Sequence, residues 1–421
     1  MGYVAQKLAR GFCLIGLFLL PLVIGACAPY QSGNATAANA TGTASANKAD
    51  CKQWSKVANP VLPGKQNQFN AVAAVSAQNI WVVGSGASTH QDQALIEHWN
   101  GTRWSVVVNP EVGSVALNGI AALSAKDIWA VGSASAQPFI EHWNGSAWQV
   151  VQSASVPGTQ STLSAVAALS AANAWAVGHF FASQDSPSHA LIEHWDGKSW
   201  SIVQNPDLGA LSSDLESIAA SSASDIWAVG SSAPDKGFSS NLIEHWDGKS
   251  WKVVQSPNPG DFSDSLSAVA AVSASDAWAV GEYAARNTPG AVLLAEHWDG
   301  KTWSVASIGG PEAKLSWLEG LAVLSSDDVW AVGDYKDYNT RLTQAFAEHW
   351  DGSQWNLDFH PPTYRDPDNG DDHIVNAVAA ADARSIWAVG TLVNPNNGSQ
   401  PPIGDSNSKA VAQPLTLFRC P

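Results

Sequence analysis

From about residue 51 onward, short apolar runs alternate with clusters of Gly, Asp, Asn, Ser and Pro. Four runs make a set. In the fifth set they read Leu266-Ser-Ala-Val-Ala-Ala-Val272, Ala277-Trp-Ala-Val280, Val292-Leu-Leu-Ala-Glu-His-Trp298 and Thr302-Trp-Ser-Val305. Runs this short, β-branched and aromatic and bounded by turn residues, predict strands. The third and fourth are joined by Asp299-Gly300, and elsewhere by Asn100-Gly101, Asn144-Gly145, Asp196-Gly197, Asp247-Gly248 and Asp351-Gly352. Such dipeptides predict two-residue type I′ hairpins, with positive φ at both central residues. The first and second runs are joined by Ser-x-x-Asp or Ser-x-x-Asn, as in Ser124 to Asp127, where a short polar side chain caps a tight turn. Each set is a predicted four-stranded antiparallel meander.

The sets repeat. Trp-Ala-Val-Gly, or Trp-Val-Val-Gly in the first copy, begins at Trp81, Trp129, Trp175, Trp227, Trp278, Trp330 and Trp387, at spacings of 46 to 57 residues. A fixed period of this size is the mark of a repeat array. The third strand occurs six times as Glu-His-Trp, and Leu415-Thr-Leu-Phe-Arg-Cys420 supplies a seventh. The fourth strand follows those six, and Cys51-Lys-Gln-Trp54-Ser-Lys-Val57 supplies its missing copy from the other end of the chain. Seven sets are complete only if the first strand pairs with the last.

This pattern resembles the seven-bladed β-propellers of the kelch, galactose-oxidase and Asp-box sialidase kind. More narrowly it is similar to exported bacterial propellers with repeated Trp-Ala-Val-Gly and Glu-His-Trp-Asp-Gly. The resemblance covers residues 51–420 and implies an all-β fold of four-stranded antiparallel blades, the ring closed by the N-terminal strand on the C-terminal blade. Regular Gly-Gly doublets of the kelch type are missing, and Ser-x-x-Asp-x-Trp differs in spacing from the Asp box. The fold therefore carries no activity with it.

The first 26 residues read as a lipoprotein-type signal peptide. Lys7 and Arg10 precede an apolar stretch from Gly11 to Ala26, too short for an ordinary membrane span, which ends in Ile24-Gly25-Ala26-Cys27. That ending resembles a lipobox, and Cys27 is the expected lipidation site. Residues 27–50 carry little that a core could bury and read as a disordered tether; residues 51–421 form the repeat domain. Export favours a disulfide between Cys51 and Cys420, the two cysteines left in that domain. The expected location is thus outside the membrane, held by lipid alone or secreted.

A net charge of −16 argues against nucleic-acid binding, which needs clustered Lys and Arg. Twenty of the 21 Trp fall at three repeat positions, which points to packing between blades; only Trp317 stands outside them. The six Glu-His pairs, from Glu97-His98 to Glu348-His349, suggest acid–base or metal chemistry. Neighbours on a strand point to opposite faces, however, and six identical pairs around a ring do not converge on one substrate. A structural role is the expectation.

Function should then sit where the repeats differ, in the second-to-third loops and the connections between sets. Tyr283, Tyr335, Tyr338 and Tyr364, together with Arg286, Arg341, Arg365 and Trp317, all lie there in sets five to seven. Flat amphipathic rings beside guanidinium forks suit a glycan or an extracellular protein segment. Asp366, Asp368 and Asp371 alternate around Gly370 in a manner that would suit calcium, without the closing Glu of a calcium loop. A solvated acidic turn is the preferred reading, and no other cofactor is expected. The sequence therefore describes a monomeric, non-catalytic binding module. Its rivals are a glycoside hydrolase or lyase using Asp334, Asp337 or the 366–372 carboxylates, and a structural spacer.

Overall fold

The computed structural model describes residues 54–60, 66–87, 92–110, 112–154, 160–206, 208, 212–233, 238–286, 288, 290–311, 315–337, 341–359, 372–394 and 411–419. All 28 elements among them are strands. Unit 1 is the meander β2 (Gln66–Ser76), β3 (Asn79–Ala87), β4 (Asp92–Trp99) and β5 (Trp104–Val106). Units 2 to 6 repeat it as separate four-stranded sheets over residues 115–151, 160–202, 212–253, 263–306 and 316–359. The closing unit is β26 (Asp372–Asp382), β27 (Ser385–Asn394) and β28 (Val411–Arg419), completed by β1 (Trp54–Lys56). There Trp54 pairs with Arg419 and Lys56 with Leu417, antiparallel. A single parallel bridge, Gln66 to Ala412, joins the closing unit to unit 1, so the two form one eight-stranded sheet.

The core lies between units. Each strand-two Trp sits in a hydrophobic cluster with residues of the following unit: Trp227 packs with Leu266, Leu294 and Trp303, for example. The last such cluster brings Trp387 and Val389 against Phe69, Ile80, Leu95 and Trp104 of unit 1. Trp227 and Trp303 meet edge to face, with centroids 5.1 Å apart and planes at 88°, and the arrangement recurs for Trp104 on Trp387. Edge-to-face geometry sets the positive ring edge on the negative ring face.

Every first strand carries a bulge, at Asn70 in unit 1 and at Asn118, Ser164, Glu216, Ser267, Glu319 and Asn376 thereafter. Bulged residues leave the ladder, and three of these amides reach the next unit instead. Asn70 donates to Leu117 O at 2.8 Å, Asn118 to Leu163 O at 3.0 Å, and Asn376 to Phe69 O at 2.7 Å.

The third-to-fourth turns differ from expectation. Each holds four residues, and only the Gly has positive φ, 91° at Gly101. The Asn100 side chain is the reason: its oxygen accepts the amides of Thr102 and Arg103, both at 3.1 Å, making an Asx turn that keeps Asn100 itself at negative φ. Among the described residues, the turn with two consecutive positive φ values is Ser135–Ala136, at 51° and 62°, which no Gly or Asn announces.

Candidate functional site

Strand alternation separates each Glu from its His. On one face, His245 Nε2 lies 2.7 Å from Asp225 Oδ1, and the imidazole lies against Trp227 with ring centroids 4.1 Å apart. The same contact links His98 to Asn79, His142 to Asp127, His194 to Asn173, His297 to Asp276 and His349 to Asp328. The Asp or Asn of Ser-x-x-Asp thus commits its side chain to a third-strand His. The Ser makes the turn, as where Ser124 Oγ accepts the Lys126 amide at 3.2 Å.

On the other face all six Glu are 0% exposed. Residues arriving from the preceding unit hold several of them: Asn59 donates to Glu97 at 2.8 Å, Ser153 Oγ to Glu193 at 2.7 Å and the Gly310 amide to Glu348 at 2.8 Å. Burial pushes Glu97, Glu141 and Glu348 up to about 7, and Glu244 and Glu296 up to about 8. A neutral carboxyl is the form a dry interface tolerates. These groups join units and do not converge on a substrate.

The closing unit departs from the pattern consistently. Ser385 replaces the Asp, Phe418 the His, Leu417 the Glu and Arg419 the Trp. Phe418 lies against Trp387 with ring centroids 4.7 Å apart and planes tilted by 42°. The Arg419 guanidinium lies 4.6 Å from the Trp330 ring centroid and grips Asp358 through two bonds of 2.7 Å, while Trp54 Nε1 donates to the same carboxylate at 2.9 Å.

The end bearing the second-to-third loops and the inter-unit connections is built otherwise. Tyr283 and Tyr335 are half-buried and pack into cores, Tyr335 edge-on to Phe346 at 6.2 Å. Burial, and then Asp337, raises the Tyr335 phenol. Trp317 is half-buried beside Ser316 and opposite Asp334; Asp334 and the matching Glu282 of unit 5 are buried. Arg341 is exposed in a tight turn, its amide donating to Asp337 O at 2.7 Å with φ at 64°. Arg286 turns toward the connection from unit 4 into unit 5: its Nε lies 3.3 Å from Asp261 Oδ2, and its guanidinium 5.7 Å from the Phe262 ring centroid. Phe262 meets Phe238 edge to face at 5.0 Å.

Of the eight residues expected to form one patch, then, Tyr283 and Tyr335 face cores, Trp317 is half-buried on the first strand of unit 6, and Arg286 and Arg341 are exposed in different loops. Tyr338, Tyr364 and Arg365 lie outside the described residues, as do Asp366, Asp368 and Asp371, Cys27, Cys51 and Cys420. Among the described residues no three His, Cys, Asp or Glu side chains gather as a metal site would require. Phe238, Phe262 and Asp261 were missed by sequence reasoning. Their signal is Phe outside any apolar run, in Gly237-Phe238-Ser239 and Asp261-Phe262-Ser263.

No protein-family model and no curated protein sequence matches the chain. Solved structures do. A structure described as YCF48 bound to D1 peptide superposes with a TM-score of 0.52 at 14% identity, covering 87% of this chain and 94% of that one. YCF48 from Cyanidioschyzon merolae gives 0.52 at 13% identity, over 87% and 98%. The WD40 β-propeller domain of Doa1 gives 0.53 at 14% identity, over 86% and 96%. The fold is a repeat β-propeller.

Proposed function

We propose that this propeller has seven blades, the eight-stranded sheet being two of them joined at one bridge, and that it is a non-catalytic module binding a protein segment on its loop face. The observation that carries the reading is where polar chemistry is used. The repeated His and Asp are consumed in pairing strands within each blade and the buried Glu lie at the joints between blades, whereas the loop face of blades four and five leaves Phe238, Phe262 and Arg286 exposed. Loops on a rigid scaffold are the usual seat of recognition. A propeller neighbour carrying a peptide agrees with this, as a likeness of fold. Lipid on Cys27 would hold the module outside the membrane, and an exported protein is the expected partner; a glycan is the other ligand class.

The test is capture from the producing cell's envelope fraction by three full chains: wild type, Phe262→Glu/Arg286→Glu on the loop face, and Lys249→Glu on the short-turn face. One protein retained by the first and third and lost by the second is expected. Equal retention by all three would sink the loop-face assignment, and retention of polysaccharide alone would turn the reading to a glycan. Cys27→Ser should move the chain from the membrane to the soluble exported fraction.

A further inference from the structure

The exposed Phe pair is assembled from three loops. Phe238 comes from the second-to-third loop of blade four, Phe262 from the connection into blade five, and Arg286 from the second-to-third loop of blade five. Backbone bonds fix the arrangement: the Phe262 amide donates to Ala284 O at 3.0 Å, and the Arg286 amide to Asp261 Oδ1 at 2.6 Å. Gly260 lets the connection pass close, since a Cβ there would stand 2.6 Å from Ser263 O and 2.7 Å from Ala284 O. The Asp264 amide donates to Ser239 O at 3.0 Å beside Phe238, so backbone bonds anchor the described residues of all three loops.

Its chemistry is specific. Phe238 and Phe262 are 54% and 40% exposed, the only aromatic side chains among the large exposed hydrophobics of the described residues. Most of the others are single aliphatic residues repeated at one position of each outer strand, as Val106, Val150 and Ile202 are. Two touching rings from separate loops, on a surface otherwise rich in carboxylates, mark an interaction site more than scattered apolar residues do. Arg286 stands beside them with its side chain 68% exposed, and Asp261 meets it through Nε. With Asp261 at Nε and most of the side chain exposed, the guanidinium is a planar fork that can take a further carboxylate.

We propose that Phe238, Phe262 and Arg286 form the docking point for an extended peptide segment in which a large apolar side chain stands next to a carboxylate. The apolar group completes the edge-to-face pair, and the carboxylate takes the guanidinium fork. An internal Asp or Glu and a free chain terminus share this chemistry. The assignment rests on the loop-face reading above and narrows it to one partner class.

Fluorescence anisotropy of the full chain with four labelled octapeptides tests it. Three carry Phe-Leu at the centre followed by Asp, Asn or Lys, each with an amidated end, and the fourth ends in Phe-Leu with a free terminal carboxylate. The Asp peptide, the free-acid peptide or both should bind at least tenfold more tightly than the Asn and Lys peptides, and which of them does so identifies the source of the carboxylate. Arg286→Gln should bring the acidic peptides down to the Asn level, and Phe262→Ser should weaken all four. No binding by any peptide, a preference for Lys, or indifference to Arg286→Gln would overturn the assignment. The envelope experiment separates the two claims: a partner still captured by Phe262→Ser/Arg286→Gln but lost on substitution of another loop leaves the loop-face reading standing and removes this docking point.

Discussion

Six glutamates without solvent contact make the chain respond to pH in an uncommon direction. Unfolded, each titrates near 4.5; folded, the five with assigned values titrate near 7 to 8 because burial penalises the charged form. Between those values the native chain holds protons that the unfolded chain has released. Their contribution to stability is therefore complete below about 4.5 and is withdrawn as pH rises through the folded values. Asp264 is the charged neighbour that acts on one of them, raising Glu296 further. His98 and His194, lowered by burial, work against this as pH falls below 6.5, but two imidazoles oppose six carboxyls. Asp196, Asp225 and Asp299, held low, withdraw stability only as pH falls below 3.8. Urea unfolding should then give a higher midpoint at about pH 5 than at about pH 8.5. Glu244, with no partner at either oxygen, is the sharpest case. Glu244→Gln should gain at least about 1 kcal/mol at the higher pH, where the wild-type carboxyl must either ionise in a dry interface or hold its proton against solvent, and little at the lower. A flat profile in the wild type would mean these carboxyls find solvation when ionised.

At the scale of the strand and turn, the hydrophobic pattern marked every strand class, and the displaced strand at Trp54 emerged from counting alone. The pairing of Asp225 with His245 did not, because 20 residues and a full strand separate them and the alternation rule speaks only of neighbours. The closing unit held the clue: it lacks the Asp and the His together, with Ser385 and Phe418 in their places. The bulges were hidden for a related reason. In Phe69-Asn70-Ala71-Val72 the alternation slips by one residue, and a slip reads as noise until the partner strand is seen. The candidate site was less legible still, since Tyr283 and Tyr335 read as loop aromatics although strand ends carry them into cores. The Asp–His pairing predicts a double-mutant cycle. Asp225→Ser should cost about 1 kcal/mol by leaving His245 without its acceptor. His245→Phe added to it should recover most of that loss, reproducing the closing unit's own solution. Additive losses in thermal melts would show the two residues to be independent.

For the whole molecule, the decisive contact is β1 on β28. Residues 54–56 supply the outer strand of the closing unit, whose other three strands begin more than 300 residues later. Removing the chain through Lys56 would take away Trp54, which meets Trp330 at 6.1 Å and donates to Asp358. It would also bare the edge of β28. A half-buried indole with a hydrogen bond is worth less than the roughly 3–5 kcal/mol of a fully buried one, but together with the lost strand pairing it should make the truncated chain melt below the full one and associate through the bared edge. Light scattering beside calorimetry would show this; an unchanged melting temperature in a monomer would mean that the closing unit stands on three strands.

The same contact sets the order of events in time. A chain delivered N-terminus first presents β1 at the start, and β1 has nothing to pair with until β28 arrives last. Inner units can form as they emerge, because each packs on the one before it, but the circle stays open throughout delivery. A product cut short before β28 would leave β1 without its partner strand and β27 with one bare edge.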